Sequence, residues 1–183
     1  TESEMRRWFR ELEGQDVNLS EALLDFKFNL FSEADPAVAA NTAFQLYESG
    51  ILDDASKMEA SEMLLECGSP DKAILMIGSI ENIEFRVAAS QLAATSAKAI
   101  KNIESQADAW RLIADRFGVQ DSDLLIAASR MYSAGRHAEV IDLLAERDSD
   151  EMDRGLGLLL ARSYFTVEEY DDCLKVSRSM LER

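Results

Sequence analysis

The residues able to do chemistry in this chain are few. It has one histidine, His137, and two cysteines, Cys67 and Cys173, without CxxC spacing. Nucleophilic catalysis pairs a nucleophile with a base, and zinc asks for four nitrogen or sulfur ligands at close spacing. His137 and Cys173 fall at positions that read as helix packing, and zinc lacks a second histidine or a close cysteine pair, so the chain reads as a non-enzyme with no cofactor and no metal. Carboxylates are plentiful, with adjacent pairs at Asp53-Asp54, Glu168-Glu169 and Asp171-Asp172. Neighbours on a helix diverge by about 100°, so each pair reads as a solvated face rather than an ion site. The run GLGLLLA at 155–161 has part of a dinucleotide fingerprint, but no strand pattern precedes it, so it carries no phosphate reading.

Composition narrows the partners. The 183 residues carry a formal net charge of -16. Such a chain repels phosphate backbones and anionic lipid, which speaks against nucleic-acid and membrane-surface binding. A basic protein partner would be attracted; the other reading is that the charge serves only solubility or a salty cytoplasm. Hydrophobic residues make up 47 % of the chain, enough for a core, and two prolines and eight glycines are too few for the turns of a β-sandwich. Unpaired cysteines make a reducing cytoplasm the default location. No leader and no apolar run near 18 residues is found. The sequence stops inside a helical pattern, SRSMLER, which keeps open a regulatory domain belonging to a larger enzyme.

The elements that would position these residues read as helices throughout. SEMRRWFRELEG has a helical pattern up to Gly14, and NLSEALLDFKFNLF starts another, with Asn18 and Glu21 as a capping box. Asn18-Leu19-Ser20 is also a glycosylation sequon, of use only in a secreted protein. Asp35-Pro36 and Ser69-Pro70 are cap-then-proline starts, and Gly50 and Gly68 sit where helices should stop. Ser105, Asp121, Ser149 and Thr166 are further expected caps, the last boxed with Glu169. Together they predict an all-α fold of ten or eleven helices joined by short loops. The alanine-rich stretch 81–103 must contain a break whose place the pattern does not give.

Two segments repeat. LIAASRMYSAGRHAEV at 125–140 is answered 33 positions later by residues 158–173, so that Ala128 matches Ala161, Met131 matches Tyr164, His137 matches Tyr170 and Val140 matches Cys173, and just beyond them Ile141 matches Leu174. A period near 34 with helix–turn–helix content marks stacked hairpins, since one hairpin cannot bury its own apolar face. Small residues at 128 and 161 admit close helix approach. The side chain at 137 or 170 would fill the hole at the start of the second helix, which makes His137 a packing residue and Cys173 a buried structural thiol.

In these residues the chain resembles the tetratricopeptide repeat family. Leu124, Ala127-Ala128, Met131, Gly135, His137 and Val140 follow its pattern in one unit. Leu160-Ala161, Tyr164, Tyr170 and Cys173 follow it in the next, with Glu168 where glycine is usual. Ala43, Leu46, Gly50, Leu52 and Ala55 form a looser earlier unit. The resemblance implies an irregular α-solenoid over 35–183, with its best repeats at 121–153 and 154–183. It implies a scaffold whose first helices line a concave face that holds a partner peptide or amphipathic helix. Mapped by that resemblance, the partner-binding residues are Leu125, Ser129 and Tyr132 in one unit and Leu158, Arg162 and Phe165 in the next. The family's carboxylate clamp of Lys and Asn is not matched, because those positions hold Leu125, Ile126, Ser129, Leu158, Leu159 and Arg162. The same side chains could instead pack on a neighbouring helix or a further repeat.

Residues 1–34 form a separate aromatic helical pair. Five of the ten tryptophans and phenylalanines fall there, including Trp8 and Phe9. They read either as a cap on the first repeat or as a dock for a partner or a second copy. Two functions therefore stand against each other: a non-enzymatic scaffold, and a self-assembling structural protein joined through its aromatic N-terminus or its last hairpin.

Overall fold

A computed structural model of the chain describes residues 2–13, 24, 27–29, 31, 34–145, 147 and 152–182. Among them are ten α-helices and one 3-10 turn, and no strand. The helices are α1 (Glu2–Glu13), α2 (Pro36–Glu48), α3 (Asp54–Glu66), α4 (Pro70–Gly78), α5 (Arg86–Ala99), α6 (Ile103–Arg116), α7 (Asp121–Ser133), α8 (His137–Leu144), α9 (Arg154–Thr166) and α10 (Tyr170–Leu181), with the 3-10 turn at Ile83–Phe85. No helix among the described residues is long and apolar enough to cross a membrane. The chain divides into two compact units, Thr1–Ser96 and Ala97–Arg183.

Local chemistry places most helix starts. Asp35 accepts from the Val38 amide at 3.4 Å with Pro36 behind it, as expected. Pro70 likewise opens α4, but Ser69 makes no side-chain cap. Three expected caps are displaced. The break in the alanine-rich stretch falls at 100–102, where Asn102 accepts from the Ser105 amide at 3.0 Å, so Ser105 is capped rather than capping. Asp121 is the first residue of α7 and pairs with Arg147 at 2.7 Å. Thr166 ends α9, donating to the Arg162 carbonyl at 2.9 Å, and forms no box with Glu169. Asn18, Glu21 and Ser149 lie outside the described residues.

In the first unit, Phe9 of α1 meets Phe31 edge-on at 6.4 Å, and both bury against Ala39 of α2. The helices α2, α3 and α4 pack on one another, α2 also reaching α4 directly. Lys72 of α4 ties that contact, bonding Asn41 at 2.9 Å and sitting 5.0 Å over the Phe44 ring. Of the expected solvated pair Asp53-Asp54, Asp53 is exposed and Asp54 is half-buried, and both are engaged in hydrogen bonds. Asp53 caps α3 through the Ser56 amide at 2.8 Å. Asp54 accepts from the Glu81 and Asn82 amides at 3.0 and 2.7 Å and from Lys57 at 2.9 Å, clamping the turn after α4 to the start of α3.

In the second unit Trp110, Ile113, Leu124, Met131, Val140 and Leu144 are fully buried. Helix α9 packs against α7, α8 and α10. The turns after α7 and α9, 33 residues apart, share one geometry, which the turns after α2 and α3 share as well. After α7, the Arg136 amide reaches the Met131 carbonyl at 2.9 Å with Gly135 at φ 74°. After α9, the Glu169 amide reaches the Tyr164 carbonyl at 2.9 Å with Glu168 at φ 67°. Glu168 thus holds a left-handed conformation that suits glycine and strains any residue bearing a Cβ.

Two consequences are measurable. Glu168→Gly should raise stability by about 1 kcal/mol, read as a higher denaturant midpoint with an unchanged slope; an unchanged or lower midpoint counts against the strain. The Lys57 ammonium, followed by the Asn82 amide, holds the Asp54 carboxyl below the usual carboxylate range. A lowered folded pKa contributes stability above the unfolded value and loses it as pH falls through the folded one. Asp54→Asn should therefore cost roughly 1–2 kcal/mol at pH 7, and its gap to the parent should close as pH drops below about 4. A gap that stays constant with pH would mean the charge is irrelevant.

Candidate interaction face on α7 and α9

Helices α7 and α9 pack side by side in the second unit and carry all six residues mapped as a partner face. The positions recur at i, i+4 and i+7: Leu125, Ser129 and Tyr132 on α7, and Leu158, Arg162 and Phe165 on α9. This spacing keeps each triplet on one side of its helix. Leu125 and Leu158 are each 44 % exposed, and Phe165 is 63 % exposed. Arg162 is exposed and forms no ion pair among the described residues. Ser129 is half-buried, and its carbonyl accepts from the Ser133 hydroxyl at 2.7 Å.

The aromatic positions are committed within the chain. Tyr132 meets His137 edge-on at 4.8 Å, and Phe165 meets Tyr170 edge-on at 5.7 Å. These are the same ring pair, 33 positions apart. The first is half-buried and the second exposed, so Tyr170 pairs with a ring on the surface rather than filling a buried hole. His137 packs, with its buried Nδ1 lacking a hydrogen-bond partner among the described residues. Cys173 is half-buried rather than buried. Tyr164, between the two helices of the last hairpin, has its hydroxyl pKa pushed up by burial, with Asp172 and Glu169 adding to the effect.

The two glycines of GLGLLLA serve packing. Gly155 starts α9, its amide held by Asp153 at 2.7 Å, and a Cβ there would stand 3.3 Å from Leu125. Leu125 therefore lies over the beginning of α9. At Gly157 a Cβ would come 2.6 Å from the Met180 sulfur, so α9 and α10 touch where a side chain is missing. Trp8 and Phe9 belong to the other unit. Trp8 is exposed on α1, and Phe9 is buried with its ring 5.0 Å from the Trp8 ring.

Sequence reasoning passed over Arg136. This residue precedes α8 and reaches back to α6, pairing with Asp108 at 2.6 Å and Glu104 at 3.5 Å, with Glu139 of its own helix at 3.8 Å. Its one guanidinium thus gathers three carboxylates. Glu139 also lines a surface cleft of about 800 Å³, together with Arg111, Asp115, Asp142 and Arg147 among others. Arg111 already pairs with Asp115 at 3.1 Å and Asp142 at 3.5 Å. Among the described residues no three His, Cys, Asp or Glu side chains gather as a metal site. Comparison with known proteins finds no matching family model, curated protein or solved structure.

The α9–α10 contact can be tested. Gly157→Val should destabilise the chain by about 2 kcal/mol through overpacking, and Met180→Ala in the same chain should return part of that loss. Equal stability of Gly157→Val and the parent in a thermal melt would mean that the helices do not meet there.

Proposed function

We propose that this chain is a non-enzymatic interaction module: an irregular tetratricopeptide-like α-solenoid that holds a partner peptide or amphipathic helix on the α7–α9 face. The observation that carries the reading is the repeated side-chain stripe on two packed helices, Leu125 with Leu158 and Ser129 with Arg162. Exposed leucines on adjacent helices, with an arginine that forms no ion pair among the described residues, offer apolar anchorage and a single point for an acidic or carbonyl group. The contacts of α9 with α7 and α8 support hairpins that stack, because each is a contact between successive repeats.

The surrounding charge complements this. With a net charge of -16, long-range steering favours a basic protein segment and opposes nucleic acid. Two free, half-buried cysteines suit a reducing cytoplasm.

The test is affinity capture from a lysate of the source organism with cross-linking and mass spectrometry. Discrete partners should cross-link near residues 125–165, and Arg162→Glu should weaken their capture about tenfold with helicity unchanged. Capture indifferent to Arg162→Glu, or cross-links confined to other parts of the chain, would remove the face from consideration.

A further inference from the structure

The outward side of α10 carries Tyr170, Leu174 and Leu181, which are 52 %, 51 % and 83 % exposed. With Ser177 they form one stripe at i, i+4, i+7 and i+11. The inward side, with Val176 buried and Met180 against Gly157, packs on α9. Phe165 lengthens the stripe through its ring contact with Tyr170. In the preceding hairpin the matching residues Tyr132, His137 and Ile141 are half-buried, and α8 there packs against α9. A helix is thus what covers such a face inside this fold.

The charges on α10 select the covering helix. Asp172 is already paired with Lys175 at 2.7 Å. Asp171 and Arg178 are exposed, opposite in sign, and form no ion pair among the described residues. At about 100° per residue, both fall on the same flank of Leu174, about 60° and 40° away from it. A two-fold axis that sets two copies of α10 antiparallel keeps this flank on one side of both helices. Asp171 of each copy then faces Arg178 of the other, twice. Tyr170 opposes Leu181, and Leu174 opposes Ser177, large against small. A parallel two-fold pairing would instead put this flank on opposite sides of the two helices, leaving both Asp171 and both Arg178 without a partner across the seam.

We propose that the outward face of α10 is a self-association surface, on which a second copy of this chain packs its own α10 antiparallel. The interface is isologous, so one patch supplies both halves. It does not rest on the partner-binding reading of α7 and α9.

The test is sedimentation equilibrium of the full chain over a range of concentrations. The samples are the parent, Asp171→Arg, Arg178→Asp, an equimolar mixture of those two, and the double reversal in one chain. The parent should form a dimer. Each single reversal sets like charges face to face twice and should weaken dimerisation about tenfold or more. In the mixture, the two arginines of one chain meet the two aspartates of the other, so dimers should return; the double reversal should also restore them. A parent that stays monomeric, single reversals that dimerise as well as the parent, or a mixture and double reversal no better than the single ones would each overturn the proposal. If a single reversal loses helicity by circular dichroism, the double reversal decides alone, by dimerising or failing to.

Discussion

Everything in the second unit depends on helix backbones coming close enough to bury side chains that no single hairpin can cover. The close approaches occur where side chains are small. Ala127 and Ala128 are buried on α7, Ala161 on α9, and Gly157 admits the Met180 side chain from α10. The first unit uses the same device, with Ala39, Ala40 and Ala43 buried on α2. A methyl or hydrogen at the contact lets larger neighbours interdigitate, and tight packing rather than mere hydrophobicity fixes one arrangement. Small residues on the inner side also leave the large apolar ones free for the outer side, which is how Leu125, Leu158 and Leu174 come to be exposed.

Charge has been put to local use within an acidic surface. Asp54 gathers two backbone amides and an ammonium, and Arg136 gathers Asp108, Glu104 and Glu139. Both join segments distant in sequence: the turn after α4 to α3, and the start of α8 to α6. Exposed ion pairs contribute little individually, but a charged group that accepts or donates several hydrogen bonds contributes more. These two are the places where a strongly acidic chain holds its loops by electrostatics as well as by packing.

Much of this was legible beforehand. The all-helical class, the cap at Asp35 and the 33-residue correspondence follow from local rules, and local rules survive folding. The register of 128 with 161 and 137 with 170 anticipates the ring pairs Tyr132–His137 and Phe165–Tyr170. What escaped is set by tertiary partners. Ser105 and Thr166 have good cap chemistry, yet Asn102 begins α6 earlier and α9 runs on through Thr166. Asp54 and Arg136 look like ordinary surface charges, because their partners lie some 27 and 28–32 positions away. The roles of Gly155 and Gly157 were hidden for the same reason: the neighbours that require them sit on α7 and α10. Of the mapped face, the periodic placement on α7 and α9 could be read in advance. The burial of Phe9 and the half-burial of Tyr132 could not, since each is decided by a ring from elsewhere in the chain.

The chain has two tryptophans, and each compact unit contains one of them. Trp8 is exposed on α1, and Trp110 is fully buried on α6. Indole emission shifts to the blue in an apolar setting and to the red in water, so the two units carry optical labels of different colour without any engineering. Emission from Trp110 follows the opening of the second unit, and that from Trp8 follows contacts made by α1. Order of melting, and any cooperation between the halves, is therefore written into the native fluorescence of the protein.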